Sequence, residues 1–133
     1  MSDFERELIQ KTIELIPFAH APYSKFLVAC TVVTEDGEIF HGVNVENASY
    51  GLTICAERVA VANMIPKTKS RKIKTVIVLS KSKLKTPPCG ACRQVISEFA
   101  SSNCEVILPH GDLYSKVTRH DFTNLLPHSF SLD

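Results

Sequence analysis

Apolar residues recur at helical spacing from Phe4 to Ile16, where Phe4, Leu8, Ile9, Ile13, Leu15 and Ile16 form one broad stripe with Glu and Lys between them. This pattern predicts an amphipathic helix that Pro17 stops. FLVACTVV and EIFHGVNV are rich in β-forming residues and flank TEDG, whose Asp36-Gly37 pair suits a tight turn. A hairpin follows. CAERVAVANM, from about Cys55 to Met64, is dense in helix formers and is closed by Pro66. TVIVLS is a continuous apolar run of the kind found in strands buried on both faces, and KTPPCG leads from it into ACRQVISEFA, which again has helical period. CEVILP repeats the buried-strand pattern, and DFTNLLP predicts a short helical turn near the C-terminus.

The predicted order is α, β-hairpin, α, β, α, β, α. Strands separated by helices favour an α/β sheet covered on both faces, with parallel pairing among the later strands. No repeat, linker or low-complexity segment interrupts the pattern. With 133 residues and 44% hydrophobic content, the chain suits a single domain over 1–133 built on one core.

Composition and charge narrow the class. No run of 18 or more apolar residues occurs, and MSDFEREL opens with charges rather than with a basic segment leading into an apolar one. The reading is a soluble cytoplasmic protein with no membrane partner. The formal charge of +1 gives no whole-molecule field for a polyanion. Locally, however, 67–85 holds eight Lys or Arg and no acid on either side of TVIVLS. Solubilising charge on loops at both ends of a buried strand accounts for it; nucleic-acid binding is the weaker reading, because no aromatics are interleaved for base stacking. The five histidines show no pattern.

Candidate chemistry lies with the five cysteines, at 30, 55, 89, 92 and 104. In a reducing compartment, and with an odd count, metal binding or catalysis is a better default than a disulfide framework. Cys89 and Cys92 in PCGAC are spaced to grip one ion, although a redox pair or two structural cysteines also fit that motif alone. Cys55 shifts the balance, since it too begins a predicted helix, and adjacent helix starts bring three sulfurs together. Unpaired N–H groups there favour thiolate over thiol. Three sulfurs leave a tetrahedral zinc with one open position for water, the catalytic arrangement; a closed site with a histidine as fourth ligand is the alternative. Cys30 and Cys104 sit in apolar strands and read as inert core thiols.

In TICAER, Glu57 follows Cys55 by two residues and suits a base beside such a metal. In mid-helix, residues two apart diverge, so the two share a pocket only at the start of the helix. Arg58 supplies a guanidinium to offset the excess negative charge of three thiolates around a divalent ion.

C-A-E, followed 34 residues after its cysteine by P-C-x-x-C, resembles the zinc nucleoside deaminase signature, with Cys in place of the more general His. APYSKFLV, NVENASYGLTICAER, PCGACRQV and LLPHSF together resemble the small homotetrameric cytidine deaminases over nearly the whole chain. The resemblance implies a three-layer α/β/α sandwich with a mixed five-stranded sheet, and one Zn2+ per subunit on Cys55, Cys89 and Cys92. It implies proton transfer by Glu57 and hydrolytic deamination of cytidine and deoxycytidine. Asn44 and Glu46 would then bind the ribose, Phe26 would lie against the nucleoside, and Ala48 and Tyr50 would approach its sugar end. The Ala56 backbone N–H would hold the carbonyl oxygen, and Phe130 would reach a neighbouring subunit's pocket. The chain departs from the family pattern at Val28-Ala29-Cys30, where Val-Gly-Ala is usual, at Pro87 in place of Ser, and at Ser131 in place of Gly.

Overall fold

The computed structural model describes residues 1–132. Helix α1, Asp3–Leu15, begins where the Ser2 hydroxyl accepts the Glu5 backbone N–H at 3.1 Å, and Asp3 and Glu5 place negative charge in its first turn. Its chain then tightens through a 3-10 turn at Ile16–Phe18 that contains Pro17. Strands β1, Val28–Thr34, and β2, Ile39–Val43, form the predicted hairpin. Gly37 supplies the positive φ of 85° that its turn requires.

Helix α2, Ala56–Met64, is followed by β3, Ile73–Ser80; helix α3, Gly90–Ser97, by β4, Ala100–His110; and β5, Lys116–Asp121, by the short helix α4, Phe122–Leu125. The sheet order is β2-β1-β3-β4-β5, with β3 and β4 parallel and every other pair antiparallel. This is the mixed five-stranded sheet that the family resemblance implies. β5 is the strand that hydropathy alone does not reveal: KVTRHD is an edge strand whose charged side chains face solvent. One of them, Arg119, ties three elements together by reaching Glu5 of α1 and Glu105 of β4, the latter at 2.7 Å.

The pleat divides the core in two. Val28, Cys30 and Val32 of β1 join Val76, Val78, Val106 and Leu108 beneath Ala60, Met64, Ile96 and Phe122, so α2, α3 and α4 cover one face. Ala29 and Val33 join Ile77, Leu79 and Ile107 against Leu8, Ile9 and Ile16, so α1 covers the other. Cys30 and Cys104 are buried in the first cluster, as their apolar strands predict. Between α1 and the sheet runs a buried polar chain: the Thr12 hydroxyl donates to the Leu8 carbonyl at 2.7 Å and lies 2.6 Å from Thr31 Oγ1, which is 2.8 Å from His41 Nδ1.

The basic stretch is not one patch. Lys67, Lys69, Arg71, Lys72 and Lys74 lie at the start of β3, and Lys81, Lys83 and Lys85 follow its end. An extended strand of this length separates the two groups by about 25 Å.

α2 lies unusually close to β2. A Cβ built on Gly42 would sit 2.4 Å from the Ala60 backbone nitrogen and 2.5 Å from the Ala56 carbonyl oxygen. Both are backbone atoms and cannot swing aside. Gly42→Ala should therefore force the helix off the sheet and lower stability by about 3 kcal/mol, the upper end of overpacking costs; urea unfolding monitored by circular dichroism measures it.

Candidate metal centre and nucleoside pocket

Cys55 is the N-cap of α2 and Cys89 the N-cap of α3, and neither uses its side chain to cap its helix. The segment before Cys55 is held by reciprocal backbone hydrogen bonds between Val45 and Ile54, each 2.9 Å, which set it beside Asn44 and Glu46. The segment before Cys89 passes through Pro87 and the buried Pro88.

The two helix starts bring the Sγ atoms of Cys55, Cys89 and Cys92 within 4.8 Å of one another, and no other such cluster of metal-type ligands occurs among the described residues. Cys55 and Cys89 are 3.8 Å apart. A tetrahedron with zinc–sulfur bonds of about 2.3 Å has an edge of about 3.8 Å, so the Cys55–Cys89 spacing matches one edge of a zinc site. The three cysteines form a set capable of holding a metal, and among the described residues no histidine joins them.

The electrostatics agree with that fit. Burial raises the Cys89 thiol, but the N–H groups of Cys92 and Ala91 at the start of α3, with the neighbouring thiols, outweigh it and bring its pKa below the ordinary value. Burial and the charges of Glu57 and Cys55 push the Cys92 thiol up. A divalent cation among the sulfurs reverses that balance, because a coordinating thiol is deprotonated. Arg58 Nη2 lies 3.5 Å from Cys55 Sγ and 3.5 Å from the Thr53 carbonyl oxygen, while its buried Nε has no hydrogen-bond partner among the described residues. Its cation is stabilised chiefly by Cys55 and then by Cys92, which raises its pKa.

Glu57 occupies the second residue of α2, at the helix start, where a residue two positions from Cys55 still shares its pocket. It is only 4% exposed, and burial raises its carboxyl pKa above the usual range against the opposing pull of its own backbone N–H and Cys92. The carboxyl is poised to carry a proton.

Glu57, Ala56, Cys55 and Cys89 open onto a cavity of about 320 Å3 that Phe26, Asn44 and Glu46 also line. That volume suits a small ligand. Asn44 and Glu46 are engaged with the cavity wall itself. Asn44 Oδ1 accepts the Val28 N–H at 3.0 Å and Nδ2 donates to the Phe26 carbonyl at 2.8 Å. Glu46 Oε1 accepts the N–H groups of Tyr23 and Ser24 at 3.0 and 3.1 Å, and Oε2 accepts the Ser24 hydroxyl. These bonds, the Ser24 hydroxyl first, hold the Glu46 carboxyl below its ordinary pKa.

Tyr50 lines an adjoining cavity with Tyr23 and Asn47, which shares Ser24, Glu46 and Thr53 with the first. Ala48 and Phe130 are exposed and line neither one. Sequence reasoning missed Ser24, Thr53, Thr86 and Pro87 as cavity wall. Their signal was position alone, since each lies within or no more than two residues from YSKF, TICAER or PCGAC.

Comparison with known proteins places this arrangement. Residues 2–108 match the cytidine and deoxycytidylate deaminase zinc-binding region. A cytidine deaminase from Halalkalibacterium halodurans is 37% identical over 126 residues, covering 95% of this chain and 93% of that one. One from Mycoplasma pneumoniae is 45% identical over 97 residues, 72% of each chain. The crystal structure of a cytidine deaminase from Burkholderia pseudomallei superposes with a TM-score of 0.83 at 37% identity, covering 98% of this chain and all of that one. The shared fold, the family match and the three converging thiols lead to one conclusion: the chain belongs to the cytidine and deoxycytidylate deaminase family and is a zinc-dependent hydrolytic deaminase of it.

Proposed function

We propose that the whole chain acts as one catalytic unit that converts free cytidine and deoxycytidine, with water, to uridine or deoxyuridine and ammonia. The carrying observation is a buried carboxyl beside three convergent thiols at the floor of a nucleoside-sized cavity. Cys55, Cys89 and Cys92 are the residues that hold zinc, one per subunit, and when bound it supplies a Lewis acid that acidifies water next to Glu57.

Glu57 then does the proton work. Its raised pKa lets it accept a proton from the attacking water and deliver it to N3 of the base, and then take the remaining proton of the added hydroxyl and pass it to the departing amino group, which leaves as ammonia. The N–H of Ala56, which lines the cavity at the start of α2, would hold the carbonyl oxygen of the base. Phe26 offers an aromatic face to the pyrimidine. Asn44 and Glu46 fix the ribose end, both by holding the 23–28 segment and by offering their remaining hydrogen-bonding capacity to the sugar hydroxyls. Arg58 draws electron density from Cys55 and Cys92 and so moderates the thiolate charge around the ion.

The homotetramer of the resembling family completes this reading. Tyr50 is 80% and Phe130 67% exposed, so both aromatics are available to neighbouring subunits at the sugar end and at the pocket mouth. No described helix is long and apolar enough to cross a membrane, and the enzyme is assigned to the cytoplasm.

Incubating zinc-loaded protein with cytidine should produce the ultraviolet change that accompanies uridine formation, and no turnover would overturn the proposal. Glu57→Gln should keep its zinc and lose about 10²- to 10⁴-fold in kcat, the range for a general acid–base group. Arg58→Ala should leave the fold intact and weaken zinc retention about 10- to 100-fold, as loss of a ligand's supporting partner does; chelator competition reads it. Glu46→Gln should speed amide exchange at Tyr23 and Ser24 while leaving zinc content unchanged. Because the Glu46 pKa is lowered, its hold on Ser24 is complete at neutral pH and is lost as pH falls through that lowered value.

A further inference from the structure

Arg93 belongs to none of the roles above, yet it controls the backbone on both sides of a ligand cysteine. Its side-chain Nε donates to the Pro88 carbonyl at 2.7 Å, and its backbone N–H donates to the Cys89 carbonyl at 2.9 Å. These two carbonyls flank the Cys89 α-carbon. The second is the ordinary helical bond at the start of α3; what the arginine side chain adds is the first, which anchors the carbonyl immediately before Cys89. Pro88 is buried, and a carbonyl there without a partner would be costly.

The other arm of the guanidinium reaches elsewhere. Nη1 donates to the carbonyl of Leu125 at 3.0 Å, the last residue of α4. A helix-end carbonyl has no partner within its own helix, and a cation is a favourable one. Thr86 and Pro87, just before Pro88, form part of the cavity wall. Leu125 lies five residues before Phe130. One rigid planar group therefore joins the metal loop to the segment that leads to the C-terminus. Lysine, with a single ammonium on a flexible stem, does not reproduce that fork.

We propose that Arg93 is a positioning residue that couples the Cys89 loop to the C-terminal segment, so that metal retention and the seating of α4 change together. This rests on Cys89 being a zinc ligand, as assigned above.

The test compares zinc-loaded wild type, Arg93→Gln and Arg93→Lys, each confirmed folded by circular dichroism. Two quantities are read: the rate of zinc release to excess chelator, and amide hydrogen exchange across residues 122–126. Arg93→Gln should release zinc about 10-fold faster or more, the usual effect of removing a group that orients a ligand, and exchange across 122–126 should accelerate with it. Arg93→Lys should fall between Gln and wild type in both. Zinc release at the wild-type rate in the two variants overturns the coupling. Faster release with unchanged exchange at 122–126 also overturns it, since the two arms then act separately. A role confined to global stability would lower the melting temperature without altering zinc release from the folded protein. If Arg93→Gln does not fold, Arg93→Lys carries the same comparison, and wild-type values for it would show that the fork is dispensable. A wild type that retains no zinc would overturn the metal assignment and this inference with it.

Discussion

Residue 42 has no side chain, and the helix that carries Cys55 and Glu57 rests in the space this leaves. With Ala56 and Ala60 facing Gly42, backbone meets backbone, and α2 sits lower on the sheet than any helix spaced by larger side chains. The depth of that helix decides where its first turn ends. The Cys55 sulfur then meets Cys89 and Cys92, delivered by α3 across the same sheet face, and Glu57 is drawn to 4% exposure. Because α2 and α3 both pack on the first core cluster, the site inherits the rigidity of Met64, Val76 and Ile96 beneath it.

Two opposing electrical demands meet at that point. The carboxyl of Glu57 needs a poor environment for charge so that its affinity for a proton rises, whereas the thiols need a rich one in order to ionise. Geometry separates these demands over a few ångströms. Glu57 is kept from solvent, while Cys89 is exposed and receives the N–H groups of Ala91 and Cys92 at the start of α3. Arg58 stands on the sulfur side of this divide. A single shared environment would serve one group and defeat the other.

The metal triad was legible in the sequence because its ligands occupy helix starts, and helix starts have recognisable surroundings: Pro88 before Cys89, and a run of helix formers after Cys55. The hairpin was legible from Asp36-Gly37 and the β-rich runs on either side of it. Strand β5 was not, since an edge strand can carry Lys, Arg, His and Asp without violating any hydropathy pattern. Nor does a sequence reveal that Asn44 and Glu46 are engaged by the 23–28 segment, because those partners lie 16 to 23 residues away. Gly42 gives no local sign of its importance either; its neighbours are ordinary strand residues, and only the crossing of α2 makes a methyl group intolerable there.

The buried chain through Thr12, Thr31 and His41 has a direction. Thr12 has one hydroxyl proton and gives it to the Leu8 carbonyl, so it accepts from Thr31. Thr31 in turn has no proton left for His41 and must accept one from Nδ1. The tautomer of His41 is thereby dictated from inside α1, and its free nitrogen, Nε2, is the one not committed to the core. Protonation at Nε2 adds charge without breaking any link in the chain. An imidazole wired in this way gains or loses its charge on the outer side, along the groove lined by Leu15, Phe18 and Val59, while the hydroxyls between α1 and the sheet keep their order.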